Sequence, residues 1–272
     1  MLDFSISPQE MAASLRRNRG LVAALTKREV IGRYRGSFMG ILWSFFNPVL
    51  MLVVYTFVFS VVFNARWSGG SESRVEFALV LFAGMIVFNF FSECVNRAPG
   101  LILANANYVK KVVFPLEILP FVSLGAAMFH LLISLAVWLL FYLIFFGTPH
   151  LTILLFPLVA LPLTLFTLGA SWILASLGVY LRDVGQVVGV LTTALLFLSP
   201  IFYPITALPA EYRNLLHLNP LTPIIEQTRQ VLVWGKLPDF GFWTVATIVG
   251  GVIAWLGFAW FQRTRKGFAD VL

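Results

Sequence analysis

Charged side chains are scarce in this sequence. Asp, Glu, Lys and Arg make up 11% of the 272 residues, whereas hydrophobic residues make up 59%. The mean hydropathy of +0.88 is far above that of a soluble domain, so the composition predicts a polytopic membrane protein. The formal net charge of +7 does not indicate a nucleic-acid binder, because the basic residues lie in loops beside apolar runs, where they set membrane orientation.

Cysteine and histidine are also rare. The single cysteine, Cys94, excludes an intrachain disulfide and is interpreted as a small residue within a helix. His130, His150 and His217 are too scattered to indicate a metal site. His130 falls within a predicted span and has no acidic neighbour in sequence, which argues against a proton relay.

Catalytic motifs are missing as well. The sequence has no GxxxxGK[ST] phosphate loop, no GxGxxG after a strand and no HExxH. The carboxylates Glu93, Glu117 and Asp183 are scattered and form no acid–base constellation. The chain is therefore not expected to hydrolyse ATP or to be an enzyme, and energy for any transport must come from a partner.

Long uncharged runs dominate what remains. Most are long enough for a helix of about 20 residues to cross a bilayer. One domain over 1–272 with an all-α fold of six transmembrane helices is predicted. The expected spans are about 37–63, 77–96, 116–146, 151–179, 185–200 and 240–262.

A basic segment precedes the first span. Residues 21–35 place apolar side chains at helical spacing among charges, which predicts an interface helix on the membrane surface, with a solvated tail as the alternative. A shorter helix should begin after Ser7 at Pro8, and Gly36 should be a hinge. The interface-helix residues singled out are Lys27, Arg28, Arg33, Tyr34 and Arg35.

Positive charge sets the orientation. With six spans, fourteen of the 19 Lys and Arg residues lie on the side of the termini, and five (Arg66, Arg74, Arg213, Arg229 and Lys236) lie on the other. The positive-inside rule then predicts that both termini are cytoplasmic.

Two connecting segments have unusual sequences. Residues 98–112, after the Pro99-Gly100 break, read equally well as a coupling segment that docks on an ATPase or as an ordinary interfacial loop. Residues 205–238 carry too many prolines for one span and are too apolar for a free loop. They predict a re-entrant helical pair, about 209–217 and 221–234, with an amphipathic outer loop as the alternative.

Polar residues share helix faces in two spans. Ser44, Asn47, Met51 and Tyr55, with Phe59 at the edge, form one face of span 1, opposite Phe46, Val53 and Phe57. The polar stripe indicates either hydrogen bonding between helices of one subunit or a passage. Aromatic side chains stack on sugar rings, so an uncharged aromatic passage suits a glycan. The candidate substrate-passage residues are Ser44, Asn47, Tyr55, Phe59, Gln186, Thr193, Phe197, Phe202 and Tyr203.

Three motifs carry a family resemblance across nearly the whole chain. They are KREVIGRYRGSFMGILW with Asn47-Pro48 after it, YLRDV at 180–184, and SPIFYP at 199–204. The sequence resembles the permease subunits of bacterial polysaccharide-exporting ABC transporters of the O-antigen, or Wzm, type.

The resemblance implies a homodimer in the bacterial inner membrane, with spans 1 and 5 facing across the two-fold axis. Two nucleotide-binding ATPase subunits would bind ATP and Mg, with no cofactor in this chain, and the cargo would be a lipid-linked polysaccharide. The resemblance also favours the interpretation of residues 98–112 as a coupling segment. The candidate ATPase-coupling residues are Pro99, Asn105, Asn107, Tyr108, Lys110 and Lys111.

Other functions fit less well. A capsule or teichoic-acid exporter permease is the main alternative within transport, and a drug permease would more often carry a large outer domain. A membrane-embedded glycosyl or acyl transferase would need a constellation of His, Asp or Glu that the sequence does not present. A membrane scaffold fits the composition but not the proline-broken segment before span 6.

Overall fold

The computed structural model describes residues 5–58, 74–109, 114–217 and 219–272. Within these ranges the regular structure is helical and contains no strand. The α-helices are α1 (Pro8–Arg17), α2 (Arg19–Tyr34), α3 (Trp43–Tyr55), α4 (Arg74–Arg97), α5 (Ala106–Val109), α6 (Leu119–Phe146), α7 (Phe156–Tyr180), α8 (Val184–Leu198), α9 (Ala210–His217), α10 (Leu221–Leu232), α11 (Phe240–Thr264) and α12 (Phe268–Val271).

Five of the described stretches are long and apolar enough to cross a membrane. They are Gly40–Val58, Val75–Gly100, Leu116–Phe146, Leu151–Tyr180 and Phe240–Val271. They coincide with the predicted spans 1, 2, 3, 4 and 6. The predicted fifth span corresponds to α8, whose 15 residues extend only about 22 Å at about 1.5 Å per residue.

The N-terminal region follows local signals. The Ser7 side chain accepts the Glu10 amide at 3.1 Å and caps α1, with Pro8 in the first turn. Gly36 and Gly40 adopt φ of 84° and 53°, values that favour glycine, so the chain turns sharply between α2 and α3. The predicted hinge at Gly36 is confirmed, and it delays the start of the first span.

Helix α4 lies at the centre of the bundle. Within its span 78% of the residues are buried inside the chain, compared with 11% for the first span. It packs against α6, α7, α8 and α10, whereas α3 and α8 bury little of their surface. The second span is therefore the hub, and the first and fifth predicted spans lie at the periphery of the isolated chain.

The tightest helix pair is α7 with α11. A Cβ on Gly257 would overlap the backbone of Gly169, and one on Gly169 would overlap the Ile253 carbonyl. Small residues at such crossings let helix backbones approach closely.

The turn between α7 and α8 carries Arg182 and Asp183. Both are exposed, and the described residues show no ion pair between them. The Asp183 side chain forms no capping hydrogen bond to α8.

The helical pair α9 and α10 occurs where the prolines predicted it, and α10 is largely buried against α4 and α7. Arg229 on α10 has 0% exposure. Its guanidinium donates to the carbonyls of Val80 (3.1 Å), Pro200 (2.6 Å) and Ile201 (3.0 Å), and to the Glu226 carboxylate (2.7 Å). Counting Arg229 as a loop charge was therefore wrong, because it joins α10 to α4 and to the break after α8.

Both ends of the chain meet at Glu117, just before α6. Its carboxylate accepts from the Ser14 hydroxyl on α1 at 2.9 Å and from Arg265 after α11 at 2.7 Å. Trp255 on α11 also donates to the Ile6 carbonyl at 2.9 Å. The N- and C-terminal segments therefore lie at the same end of the bundle.

Replacing Arg229 tests the buried connection between α10 and α4. We expect Arg229→Leu to destabilise the protein by several kcal/mol, because each buried polar group left without its partner costs about 1–3 kcal/mol. The Arg229→Lys variant should recover only part of the lost stability, since an ammonium cannot reproduce the planar fork of guanidinium donors. Thermal unfolding in detergent measures both.

Arg213 on α9 provides the matched control. Its guanidinium bonds only nearby carbonyls, Leu208 at 2.9 Å and Thr206 at 3.0 Å, and it is only partly buried. If the thermal midpoint of Arg229→Leu is no lower than that of Arg213→Leu, Arg229 does not stabilise the contact between α10 and α4.

Candidate functional site

The site begins with α2, which packs against the first half of α6. Leu25 of α2 forms an apolar cluster with Ile118 and Val122. The Thr26 hydroxyl donates to the Val122 carbonyl at 3.4 Å, and its approach requires Gly125, where a Cβ would lie 2.8 Å from the Thr26 oxygen. The helix is therefore held along α6 by side-chain packing.

Four side chains form what we call the charge square: Glu29 and Arg33 on α2, Glu93 and Arg97 on α4. Arg33 pairs with Glu93 at 2.7 Å, and Arg97 pairs with Glu29. Within α4, Arg97 also lies 4.0 Å from Glu93. Each helix contributes one acid and one base four residues apart, so the two helices match in charge at two successive turns.

His130 on α6 extends the charge square. Its Nδ1 lies 2.9 Å from the Glu93 carboxylate, and its Nε2 lies 3.0 Å from the Tyr34 hydroxyl. The reason the sequence offered against a proton relay is therefore wrong, since His130 has an acidic neighbour 37 residues away. Burial raises the pKa of the Tyr34 phenol, which keeps it protonated. The His130 ring thus bridges the Glu93 carboxylate and the Tyr34 hydroxyl, one at each ring nitrogen.

The segment Ala98–Val109, which we call the coupling segment, follows α4. Pro99 is buried, and its backbone packs so closely on Gly178 of α7 that a Cβ there would overlap it. Tyr108 stacks on Phe114, with ring centroids 4.1 Å apart, and its hydroxyl accepts from Arg28 of α2 at 2.9 Å. The segment is thus joined to α7 at one end and to α2 at the other.

The remaining candidate coupling residues make local contacts or lie at the surface. The Asn105 amide donates to the Leu101 carbonyl at 2.9 Å within the segment, and Asn107 is exposed. Lys110 and Lys111 lie outside the described residues. On α2 and after it, Lys27 and Arg35 are exposed.

The polar stripe of α3 faces a cavity that we call the inter-span cavity. This cavity of about 200 Å³ lies between α3, α4 and α6, and its wall includes Ser44, Asn47 and Tyr55. Ser44 is buried and donates to the Ile41 carbonyl of its own segment at 2.7 Å. The structure therefore brings three of the four α3 candidates together, while Phe59 lies outside the described residues.

The candidates on α8 lie on an exposed face. Gln186, Thr193 and Phe197 are exposed in the isolated chain, and Phe197 retains 60% of its surface. The Thr193 hydroxyl donates to Gly189 of its own helix at 2.9 Å. This face is uncharged and available to contact another molecule.

An aromatic cluster connects α3 with the end of α8. The Phe202 ring lies 5.8 Å from that of Tyr55 and 6.0 Å from that of Phe197. Phe202 is only 8% exposed and is part of the core. The Tyr203 hydroxyl donates to the Phe197 carbonyl at 2.9 Å. The structure thus brings together the aromatic candidates that flank the break after α8.

Sequence reasoning did not identify several residues of this region as candidates. These are Glu29, Glu93, Arg97 and His130 between α2, α4 and α6, Asn89 and Ser134 in the cavity wall, and Arg229 on α10. One local signal was present, because Glu29 with Arg33 and Glu93 with Arg97 are oppositely charged pairs at i,i+4 spacing. Arg229 likewise has Glu226 three residues before it, but its carbonyl partners are distant in sequence. His130 had no such local signal, since Glu93 lies 37 residues away.

Together these features define a class: an all-helical membrane protein in which a short segment at one end of the bundle is joined to two spans through an amphipathic helix. The family described as ABC-2 type transporter matches residues 20–233. The chain belongs to this ABC-2 type transporter family, and it is a transmembrane subunit of such a transporter. Membership implies an ATPase subunit as partner.

Curated relatives agree with this membership. The chain is 30% identical to the "O-antigen export system permease protein RfbA" of Myxococcus xanthus, over 93% of this chain and 95% of that protein. It is 26% identical to the protein of the same name from Klebsiella pneumoniae, with the same coverage. It is 27% identical to the "Polysialic acid transport protein KpsM" of Escherichia coli, over 80% of this chain and 83% of that protein.

Glu93→Gln tests the charge square. The substitution removes the charge that Arg33 and His130 contact, and we expect a loss of about 1–3 kcal/mol in unfolding free energy, as for a partly buried group that loses its ionic partner. The loss should appear as a lower thermal midpoint in detergent.

Glu10→Gln removes the acid of the exposed Arg17–Glu10 pair on α1 and serves as control. Exposed pairs of this kind contribute little, so its midpoint should stay at the wild-type value. Equal midpoints for Glu93→Gln and Glu10→Gln would show that the charge square has no stabilising role.

Proposed function

We propose that this chain is the transmembrane subunit of an ABC exporter that moves a lipid-linked polysaccharide of O-antigen type outward across a bacterial inner membrane. A separate ATPase, which binds ATP and Mg²⁺, drives the transport. The relatives named for O-antigen export support this cargo. A capsule exporter is the second candidate, because one relative is named for polysialic acid transport, at lower coverage.

The observation that carries the proposal is the physical connection between the coupling segment and the spans. Tyr108 contacts Arg28 of α2, and the charge square ties α2 to α4. A force applied to the coupling segment by an ATPase would therefore reach α4 and α6 through side-chain contacts rather than through flexible chain. An ordinary interfacial loop would not need these links.

The passage would form between two copies of the chain. The faces of α3 and α8 expose Phe46, Val53, Phe57, Val190 and Phe197 in the isolated chain, and these side chains carry no charge. In a homodimer the two copies would place α3 and α8 around a two-fold axis, which doubles the wall of the conduit. An uncharged wall with aromatic side chains suits a glycan rather than an ion. Outward-facing helices would contact membrane lipids, and no nucleic acid is expected as partner.

Six crossings with both termini cytoplasmic remain the preferred topology. Ser14 and Arg265 both bond Glu117, which supports an even number of crossings between them. Five long spans require a sixth, and α8 with the residues after it is the available segment. The excess of Lys and Arg beside the termini favours the cytoplasmic side for that end. Helix α2 would then lie on the inner membrane surface.

The α9–α10 pair would be the re-entrant element at the outer side. Burial of α10 against α4 and α7 supports this, because irregular backbone at membrane depth is tolerated only where protein or water surrounds it. Arg229 would hold the pair in place from within.

The proposed coupling is tested in the complex. We expect the wild-type chain to co-purify with an ATPase that carries a GxxxxGK[ST] loop and to restore polysaccharide export in a strain lacking the subunit. Tyr108→Ala removes both the ring stack and the Arg28 contact, and we expect export to fall at least about tenfold, equivalent to about 1.4 kcal/mol. Quantified surface polysaccharide measures this.

The control is Tyr212→Ala, since Tyr212 is an exposed tyrosine on α9, away from the coupling segment. It should leave export and co-purification unchanged. Failure of the wild type to co-purify with any such ATPase would refute the proposed function, whereas normal export by Tyr108→Ala would refute only the coupling role.

The proposed passage is tested by shortening an exposed aromatic. Phe197→Ala should slow export about two- to tenfold while the complex still assembles, because an aromatic contact contributes about 0.5–1.5 kcal/mol. Phe46→Ala, on the exposed face of α3, should act in the same direction. Phe240→Ala, on a residue 50% exposed at the start of α11, is the control. Normal export rates in both passage variants would remove α3 and α8 from the conduit.

A further inference from the structure

The inter-span cavity contains polar groups that the protein leaves without partners. Asn47 on α3, Asn89 on α4 and Ser134 on α6 all line it. Among the described residues, neither amide nor the Ser134 hydroxyl has a hydrogen-bonding partner for its side chain. Within a membrane such groups are costly unless water or a ligand satisfies them. Three helices supply one each, so the grouping is not a local accident of one sequence segment.

The ionisable side chains at one edge of the cavity are already paired. Arg33 and His130 both contact Glu93, and Tyr34 contacts His130. Their charges compensate one another and leave no unpaired ion to attract a charged ligand. Amides and hydroxyls, by contrast, both donate and accept hydrogen bonds. The unpartnered amides and hydroxyl therefore favour an uncharged ligand that can both donate and accept hydrogen bonds.

The remaining wall is apolar. Tyr55, Phe82, Met51 and Met85 face the same space as the amides. A pyranose ring presents hydroxyls at its edge and C–H groups on its face, and the faces stack on aromatic side chains. An acyl chain would leave the amides unsatisfied.

We propose that the inter-span cavity is a binding subsite for one uncharged pyranose unit, formed within a single subunit. The Asn47, Asn89 and Ser134 side chains bind its hydroxyls, and Tyr55 contacts its apolar face. This rests on the proposed export of a glycan, and it adds a saccharide site inside each subunit to the passage between two subunits. Glu93 belongs both to the cavity wall and to the charge square. A movement of α2 would therefore change the shape of the subsite.

The double variant Asn89→Leu/Ser134→Ala tests the subsite in the full complex, reconstituted in lipid nanodiscs. The probes are the methyl glycosides of glucose, galactose, mannose and rhamnose, and saturation-transfer difference NMR measures their binding. We expect at least one glycoside to receive saturation from the wild type and the signal to fall about five- to tenfold in the variant. Export in cells should fall by a similar factor.

Stability separates a binding role from a structural one. Replacing unpartnered polar groups by apolar ones of similar size should leave the thermal midpoint unchanged or raise it, because no internal hydrogen bond is lost. Thr247→Val is the matched control, since Thr247 on α11 lies outside the cavity and donates to the Trp243 carbonyl of its own helix at 2.8 Å. It should bind the glycoside and export as the wild type does.

Two outcomes would overturn the subsite: no glycoside receives saturation from the wild type, in which case the cavity holds water only, or the double variant binds and exports normally. If the double variant has a lowered thermal midpoint, the binding and export measurements are repeated with Ser134→Ala alone, which removes one hydroxyl. If the wild-type chain fails to restore export, the proposed function is refuted instead. The glycoside-binding measurement then still tests the subsite.

Discussion

Polar groups inside a bundle of apolar helices must find partners within the protein, and this constraint organises the structure. Arg229 is fully buried and is held by three carbonyls and one carboxylate. Glu93 is held between Arg33 and His130. Neither side chain could be placed at random in such surroundings, because an unpaired buried charge is strongly destabilising. Each therefore determines which helices lie next to each other.

Helix α4 is where these contacts converge. In its N-terminal half, the Val80 carbonyl accepts a hydrogen bond from Arg229, and the guanidinium lies 3.0 Å from where a Gly84 Cβ would stand. Asn89 faces the inter-span cavity, and Glu93 joins the charge square. The coupling segment follows directly. One rigid helix thus connects the α9–α10 pair, the cavity and the segment proposed to receive the ATPase, which gives the proposed transport cycle a direct mechanical route through the subunit.

The elements were predictable from the sequence because their signals are local. Uncharged runs, the Ser7-Pro8 helix start, the turn at Gly36 and the prolines around α9 and α10 each act within a few residues. The site was predictable only in part. Ser44, Asn47 and Tyr55 share a face through helical periodicity, and the cavity contains all three. What the periodicity could not reveal is that α4 and α6 of the same chain form the opposite wall.

The sequence by itself determined that this chain is a multi-span helical membrane protein, since a bilayer excludes charge and a helix satisfies its own backbone. Only the tertiary structure decided which polar residues meet. Glu93 and His130 are 37 residues apart, and Arg229 and Val80 are 149 apart. Such pairs depend on which helices pack together, and that depends in turn on close approaches such as that of α10 to Gly84 of α4, which leave no periodic signal in the sequence.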